Sequence, residues 1–218
     1  MKFNMKGVLF FLLGMSFFTS NAQTKQEFFD YGKVENNKYT NSFFAFEMTV
    51  PQDWTVQSKE QIEEIMDAGK EMVTGDNAQL KSIIDASEVR TANLLSVYQY
   101  ELGSKVEFNP SIMLISENVQ QIPSIRTGSD YLFESRKLLE HSQVKYDYID
   151  EDFQKEKIDG RSFYKMNAAI NYNKMDIKQV YYSTIIKGFA LNAIISYVTN
   201  EQKKELLNII STMKFAQK

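Results

Sequence analysis

The chain has 218 residues, a formal net charge of −3 and no cysteine. The lack of cysteine excludes disulfides and thiolate metal sites, so the fold must be held together by its hydrophobic core. The slightly acidic balance, with 25 Lys and Arg against 28 Asp and Glu, argues against nucleic-acid binding, which requires clustered basic charge.

The amino terminus has the composition of a signal peptide over residues 1–22. Two lysines precede an apolar run over residues 7–18, and a small-x-small pattern predicts cleavage between Ala22 and Gln23. Loss of the two lysines makes the net charge −5. We therefore expect a periplasmic or secreted protein with no membrane span after cleavage. The alternative is that this segment is retained as an N-terminal anchor.

A polar stretch follows the predicted cleavage site. Residues 23–37 include a glycine and two consecutive asparagines, and they are predicted to form a flexible leader. A single folded domain is then expected over residues 38–218, because this length is ample for one hydrophobic core.

The first predicted element of the domain is an apolar-alternating strand. Phe44, Phe46 and Met48 fall on one side of an extended chain. Pro51 ends the strand, and the only tryptophan, Trp54, follows it. This pattern predicts a strand with a sharp exit and an aromatic plug at the rim of a core.

Two helices are predicted after this strand, over residues 58–89. Ser58 and Gln61 have the spacing of a capping box, in which each side chain satisfies a backbone amide of the other residue. Apolar residues then recur on one helical face until Gly75, and Asn77 is placed to cap a second, shorter helix.

The rest of the chain predicts a meander of strands with two further helices. The predicted elements are strands over 94–102 and 112–119, a helix from Thr127 or Ser129 to about 144, strands over 146–158, 162–172, 177–187 and 189–198, and a terminal helix opened by a capping box at Thr199. Short turns make neighbouring strands antiparallel. The last strand is apolar on both faces, which predicts a sheet covered on both sides. We therefore predict an α+β fold, an α/β/α sandwich with a mostly antiparallel sheet of about six to seven strands and helices on both faces.

Short motifs at both ends of the domain carry a family resemblance. They are Tyr39-x-Asn41 with Phe44-x-Phe46, Pro51-x-x-Trp54, the closing Gly188-Phe-Ala-Leu strand, and Ser211-Thr-Met-Lys-Phe215 after the last helix. Their order resembles the PsbP-like and Mog-like α/β/α sandwich proteins over residues 39–215, although the helical insertion at 58–89 is longer than in a minimal member. The resemblance implies a fold whose members mostly bind or scaffold other molecules. They include a photosystem II accessory subunit, a Ran-binding nuclear import factor and exported bacterial proteins of unassigned activity. It implies no catalytic residue, because the family shares no catalytic motif.

The residues that usually carry chemistry are scarce. The only histidine, His141, is predicted near a helix C-terminus, where the helix dipole and solvent explain it. A zinc site is not expected from one histidine and no cysteine. An acidic cluster lacks the spacing of a calcium loop and is predicted to be a solvated strand edge that resists pairing, with calcium binding left open. This cluster consists of Asp147, Asp150, Glu151 and Asp152.

Aromatic residues supply the candidate interaction surface. Exposed tyrosine and tryptophan side chains are favoured at binding hot spots, whereas buried ones simply pack a sheet. The candidate surface residues are Trp54, Tyr98, Tyr100 and Tyr148.

These features predict an exported binding or accessory protein of the cell envelope without catalytic activity. The expected partner is a protein or a small apolar ligand, and no cofactor, metal or nucleic acid is expected. Two alternatives are a hydrolase that acts on glycans with carboxylates alone and a carrier of a small hydrophobic ligand between sheet and helices. An enzyme or carrier should have a pocket, whereas a binding module should have an exposed patch.

Overall fold

The computed structural model describes residues 29–216, so the predicted signal peptide and its cleavage site lie outside the described residues. Four helices and two antiparallel sheets make up this part of the chain. None of the helices between residues 29 and 216 combines the length and the apolar character that a membrane crossing requires.

Each of the four helices is preceded by an N-cap residue whose side chain accepts a hydrogen bond from the backbone amide of the third helical residue. They are α1 (Lys59–Thr74), α2 (Ala78–Glu88), α3 (Gly128–His141) and α4 (Asn200–Ser211). The N-cap residues are Ser58, Asn77, Thr127 and Thr199. The capping boxes predicted at Ser58 and Thr199 are confirmed, and Thr127 rather than Ser129 opens α3.

The larger sheet has eight strands, all paired antiparallel, in the order β4-β5-β6-β11-β10-β9-β7, with β8 also paired to β9. Its strands are β4 (Thr55–Val56), β5 (Thr91–Tyr98), β6 (Ser111–Asn118), β7 (Tyr148–Ile149), β8 (Gln154–Ile158), β9 (Arg161–Tyr172), β10 (Met175–Ile186) and β11 (Phe189–Tyr197). The predicted α+β sandwich class is confirmed, with more strands than the sequence indicated.

Both faces of this sheet are covered, but the two covers differ. On one face α1, α2 and α3 pack against the sheet, where Ile65, Ile84 and Leu139 contribute to the core. On the other face, Leu206 of α4 shares a core with Met48 of a second, smaller sheet. The predicted helices on both faces are therefore confirmed, and on this face strands of the smaller sheet supply part of the cover as well.

The smaller sheet has four strands in the order β1-β2-β3-β12. They are β1 (Lys33–Glu35), β2 (Lys38–Asn41), β3 (Phe46–Thr49) and β12 (Lys214–Phe215). The predicted opening strand is thus a hairpin, since residues 42–45 form a turn between β2 and β3. Asn41 Oδ1 accepts the Phe44 amide at 2.8 Å, and Ala45 adopts φ 54°. Phe44, Phe46 and Met48 are all buried.

Residues 29–37 belong to the folded domain, so the prediction of a flexible leader is wrong for this part of the chain. β1 pairs with β2. The Asp30 carboxylate accepts both the amide and the hydroxyl of Ser42, each at 2.6 Å. The ring of Phe29 lies 4.9 Å from Phe43 and 5.4 Å from Phe189. The folded part of the chain therefore includes at least the nine residues before Lys38.

Replacement of Phe29 by alanine should lower the free energy of unfolding by about 1–2 kcal/mol, because it removes a half-buried ring and its aromatic contacts. Denaturant unfolding measures the change. Tyr100→Ala is the matched control, since the Tyr100 ring is exposed and lies outside this segment, and it should cost less than about 0.5 kcal/mol. Equal losses in both variants would show that the segment is not held by the Phe29 ring.

Candidate functional site

An open cleft lies between the second half of α3 and the strand β7. Its volume is about 580 Å³. It is lined by Arg136, Glu140, Tyr146, Asp147, Tyr148, Ile149, Asp150, Glu151 and Asp152. Five of these side chains are carboxylates and one is a cation. We call this site the acidic cleft.

Asp150 shapes the floor of the acidic cleft. The residue is buried, with only 9% of its surface exposed. Its Oδ2 accepts hydrogen bonds from the backbone amide and the side-chain amide of Asn167, both at 2.6 Å. The backbone amide of Asp150 also donates to the Asn167 carbonyl at 2.9 Å. These contacts end β7 after two residues, and β8 starts at Gln154. The single strand predicted over 146–158 is therefore split at Asp150.

Tyr148 presents an ordered aromatic ring at the acidic cleft. The residue is 55% exposed, and its hydroxyl donates to Asp150 Oδ1. This hydrogen bond to the carboxylate raises the pKa of Tyr148. The ring is thus restrained before any partner arrives, which reduces the entropy lost on binding.

The charges of the acidic cleft do not cancel. Arg136 Nε lies 2.8 Å from Glu140 Oε1, one helical turn away, so this pair is locally neutral. Asp147, Glu151 and Asp152 are exposed and leave the cleft with a negative surface. Within residues 29–216 no three Asp, Glu or His side chains are grouped as a metal site would need.

The other predicted site residues lie elsewhere. Trp54 and Tyr98 are buried, Trp54 in the core beside the small sheet and Tyr98 in the core beneath the helices. Tyr100 is exposed just after β5, and its amide donates to Asn109 Oδ1 at 2.9 Å. Among the four candidate aromatic residues, only Tyr148 lines the acidic cleft. His141 is exposed at the end of α3, where its Nδ1 lies 2.6 Å from the Lys137 carbonyl.

A second feature, Glu117 on β6, was missed by the sequence analysis. Its carboxyl is buried between the sheet and the helices, with 1% of the residue exposed. The Tyr131 hydroxyl donates to Oε2 at 3.0 Å and the Ser87 hydroxyl donates to Oε1 at 3.2 Å. A signal was present in the sequence, because a period of two puts Glu117 on the same strand face as Met113 and Ile115.

Burial raises the pKa of Glu117 to about 7, while the hydrogen bond from Tyr131 and the charge of Arg90 act in the opposite direction. A carboxyl with such a pKa is a common sign of a functional site. A glycan hydrolase, however, needs its carboxyls open to substrate, and Glu117 is enclosed by α2, α3 and the sheet. The residue therefore suits a proton-binding role inside the fold better than a role in hydrolysis.

The sequence matches no protein-family profile and no curated protein. Solved structures that match include a protein of Bacteroides thetaiotaomicron, with 11% identity and a TM-score of 0.45 over 85% of this chain and 50% of that one. They also include LpqN, described as involved in cell envelope biogenesis of Mycobacterium tuberculosis, with 12% identity and a TM-score of 0.44 over 79% of this chain and 83% of that one. PsbP (CyanoP) of Synechocystis sp. PCC 6803 matches with 11% identity and a TM-score of 0.47, over 82% of this chain and 91% of that one. This chain spans half the length of the Bacteroides protein. A PsbP protein is thus among the similar structures, and the Mog-like part of the resemblance stays a prediction.

Proposed function

We propose that the protein is an exported binding or accessory component of the cell envelope that holds a positively charged segment of a partner protein in the acidic cleft. The signal-peptide pattern supports export. The observation that carries the proposal is Tyr148, an exposed aromatic ring fixed by Asp150 inside a cleft of five carboxylates.

A lysine or arginine side chain complements this site in two ways. Its charge is attracted to the carboxylates, and it can also stack over the face of the Tyr148 ring in a cation–π contact. Exposed carboxylates speed encounter with a cationic partner more than they add affinity. The ring should therefore dominate the affinity, while the surrounding charges set the rate of association and its dependence on salt.

A small apolar ligand fits the acidic cleft less well. The volume lies within the range of small-molecule pockets, about 300–1,000 Å³, but such pockets are lined mainly by apolar side chains. Charged side chains make up most of this lining, and burying them under an apolar ligand would remove them from water without a partner. A basic polypeptide segment keeps them paired.

Tyr148→Ala should weaken binding of an oligolysine peptide by about tenfold or more, because truncating a hot-spot tyrosine costs about 2 kcal/mol. Fluorescence anisotropy of a labelled peptide at low salt measures the change. Tyr100→Ala is the matched control, since it removes another exposed tyrosine and should leave the affinity unchanged. An equal loss in the two variants would contradict the proposed site.

The charges of the acidic cleft can be tested separately with Glu151→Lys and Asp152→Lys together. This double variant should slow association and remove most of the salt dependence. An oligoglutamate peptide is expected not to bind the wild-type protein. If oligolysine does not bind the wild-type protein at low salt, the proposed cationic partner is wrong.

A further inference from the structure

The Arg90 guanidinium is only partly engaged with the buried Glu117 carboxyl. Arg90 Nη2 lies 3.4 Å from Glu117 Oε1, whereas a charge-assisted hydrogen bond is typically about 2.7–2.9 Å long. Arg90 Nε is buried and has no hydrogen-bond partner among residues 29–216. The side chain is 24% exposed, so the guanidinium lies between water and the carboxyl. Within the described residues its Nε is therefore a free donor that could bond to the carboxyl if the guanidinium moved closer.

The groups that face Glu117 come from every element packed on it. Ser87 of α2 and Tyr131 of α3 donate to its oxygens. On the sheet, Thr91 of β5 and Ala190 of β11 lie opposite Glu117 in register.

Arg90 is the charged group whose field acts on the carboxyl, and Tyr131 is the other titratable group in contact with it. Burial raises the pKa of Tyr131 well above its usual value, so Tyr131 stays neutral throughout the range in which Glu117 titrates. The acids near the end of α2, Asp85 and Glu88, pair with Lys70 of α1 instead.

Backbone hydrogen bonds, rather than side-chain packing, hold the turn that carries Arg90. Val89, between α2 and Arg90, is 89% exposed, so its side chain does not fix the turn by packing. The Arg90 amide donates to the Ser87 carbonyl at 2.8 Å, and the Asn118 amide donates to the Arg90 carbonyl at 3.0 Å. The backbone of Arg90 is thus tied both to α2 and to the residue that follows Glu117.

We propose that Glu117 and Arg90 form a proton-controlled latch at the junction of α2 and β5. When the carboxyl is protonated it is neutral, and Arg90 keeps its long contact and its partial exposure to water. When the carboxyl loses its proton, an unpaired charge in the interior is costly. The guanidinium then moves inward and pairs with the carboxylate through both Nε and Nη2. Because burial raises the pKa of Glu117 to about 7, the change falls near neutral pH.

Carboxyl-carbon NMR of the full chain tests this latch. We expect the Glu117 carboxyl and the backbone amides of residues 89–91 to shift with one common midpoint near neutral pH. Glu117→Gln should remove that midpoint from the amides. Arg90→Gln should raise the midpoint of Glu117 by about one pH unit or more, a tenfold change in proton affinity, because it removes the opposite charge. Arg126→Gln, at an exposed arginine elsewhere, is the matched control and should not change it.

Arg90→Lys keeps the charge but cannot pair through two nitrogens. It should leave the Glu117 midpoint close to that of the wild type while reducing the amide shifts at residues 89–91. The latch is overturned if these amides do not follow Glu117, or if Arg90→Gln leaves its midpoint unchanged. It is also overturned if the carboxyl titrates near the usual value for glutamate.

Discussion

Raising the pH from about 5 to about 8 should lower the free energy of unfolding by about 2–3 kcal/mol. The Glu117 carboxyl has a pKa near 7 in the folded chain against an ordinary value of 4.5. Because the folded state holds this proton more tightly, its stabilising effect is complete below about pH 4.5 and is lost as the pH rises through 7. Denaturant unfolding at a series of pH values measures the slope.

Two carboxyls with a lowered pKa, those of Asp30 and Asp159, act outside this window. Hydrogen bonds from Ser42 lower the pKa of Asp30, and the Phe215 amide and Lys214 lower the pKa of Asp159. A group with a lowered pKa contributes stability that is lost only as the pH falls through its folded value. These two groups therefore act below the ordinary aspartate value of 3.8, outside the range of the Glu117 effect.

Glu117→Gln isolates the effect, because glutamine resembles the neutral carboxyl in shape. The variant should have nearly constant stability between about pH 5 and 8, and at the upper end it should be more stable than the wild-type protein. The exposed Glu107 gives the control, since Glu107→Gln should keep the wild-type slope. If Glu117→Gln showed the same change of stability with pH as the wild-type protein, another group would be responsible for the pH dependence.

Local signals in the sequence predicted the helices and most of the strands well. The capping boxes at Ser58 and Thr199 depend on residues three positions apart, so they can be recognised without the tertiary structure. The same holds for the antiparallel meander, because its short turns leave neighbouring strands no other pairing. The order of elements then follows from the chain alone.

Contacts between distant residues explain what the sequence did not predict. Phe46 of β3 pairs with Phe215 of β12, and this pairing at the two ends of the chain builds the small sheet. Its hairpin turn is fixed by the Asn41 side chain, whereas apolar alternation suggested one continuous strand. Propensity carried no information about either contact.

The residues of the candidate site could be identified from the sequence, but their geometry could not. Tyr148 was identifiable as an aromatic residue beside acidic ones, but its fixed position depends on Asp150, which in turn is held by Asn167 on another strand. The sequence places the charged residue Glu117 on an apolar strand face, so its burial could have been predicted. Its raised pKa depends on burial, which only the folded chain provides and which the hydrogen bond from Tyr131 opposes.

Gly128→Ala should lower the free energy of unfolding by about 3 kcal/mol, at the upper end of the cost of overpacking. A Cβ atom at Gly128 would lie 2.0 Å from the backbone oxygen of Ser183 on β10 and 2.6 Å from its carbonyl carbon. Because this contact is with the backbone of Ser183 and not with a flexible side chain, it cannot be relieved by a rotamer change. The start of α3 must therefore move away from the sheet. Thermal and denaturant unfolding measure the loss.

The neighbouring Ser129→Ala is the matched control, because it places an alanine in the same helix turn without adding an atom to the chain. It should change the stability by less than about 0.5 kcal/mol.

The displacement of α3 in the Gly128 variant has a second consequence one turn along the helix, at Tyr131. The Tyr131 hydroxyl lies 3.0 Å from Glu117 and lowers the pKa of that carboxyl, so its withdrawal should move the Glu117 midpoint to higher pH. Wild-type stability together with an unchanged midpoint in Gly128→Ala would mean that α3 does not approach β10 as closely as the structure shows.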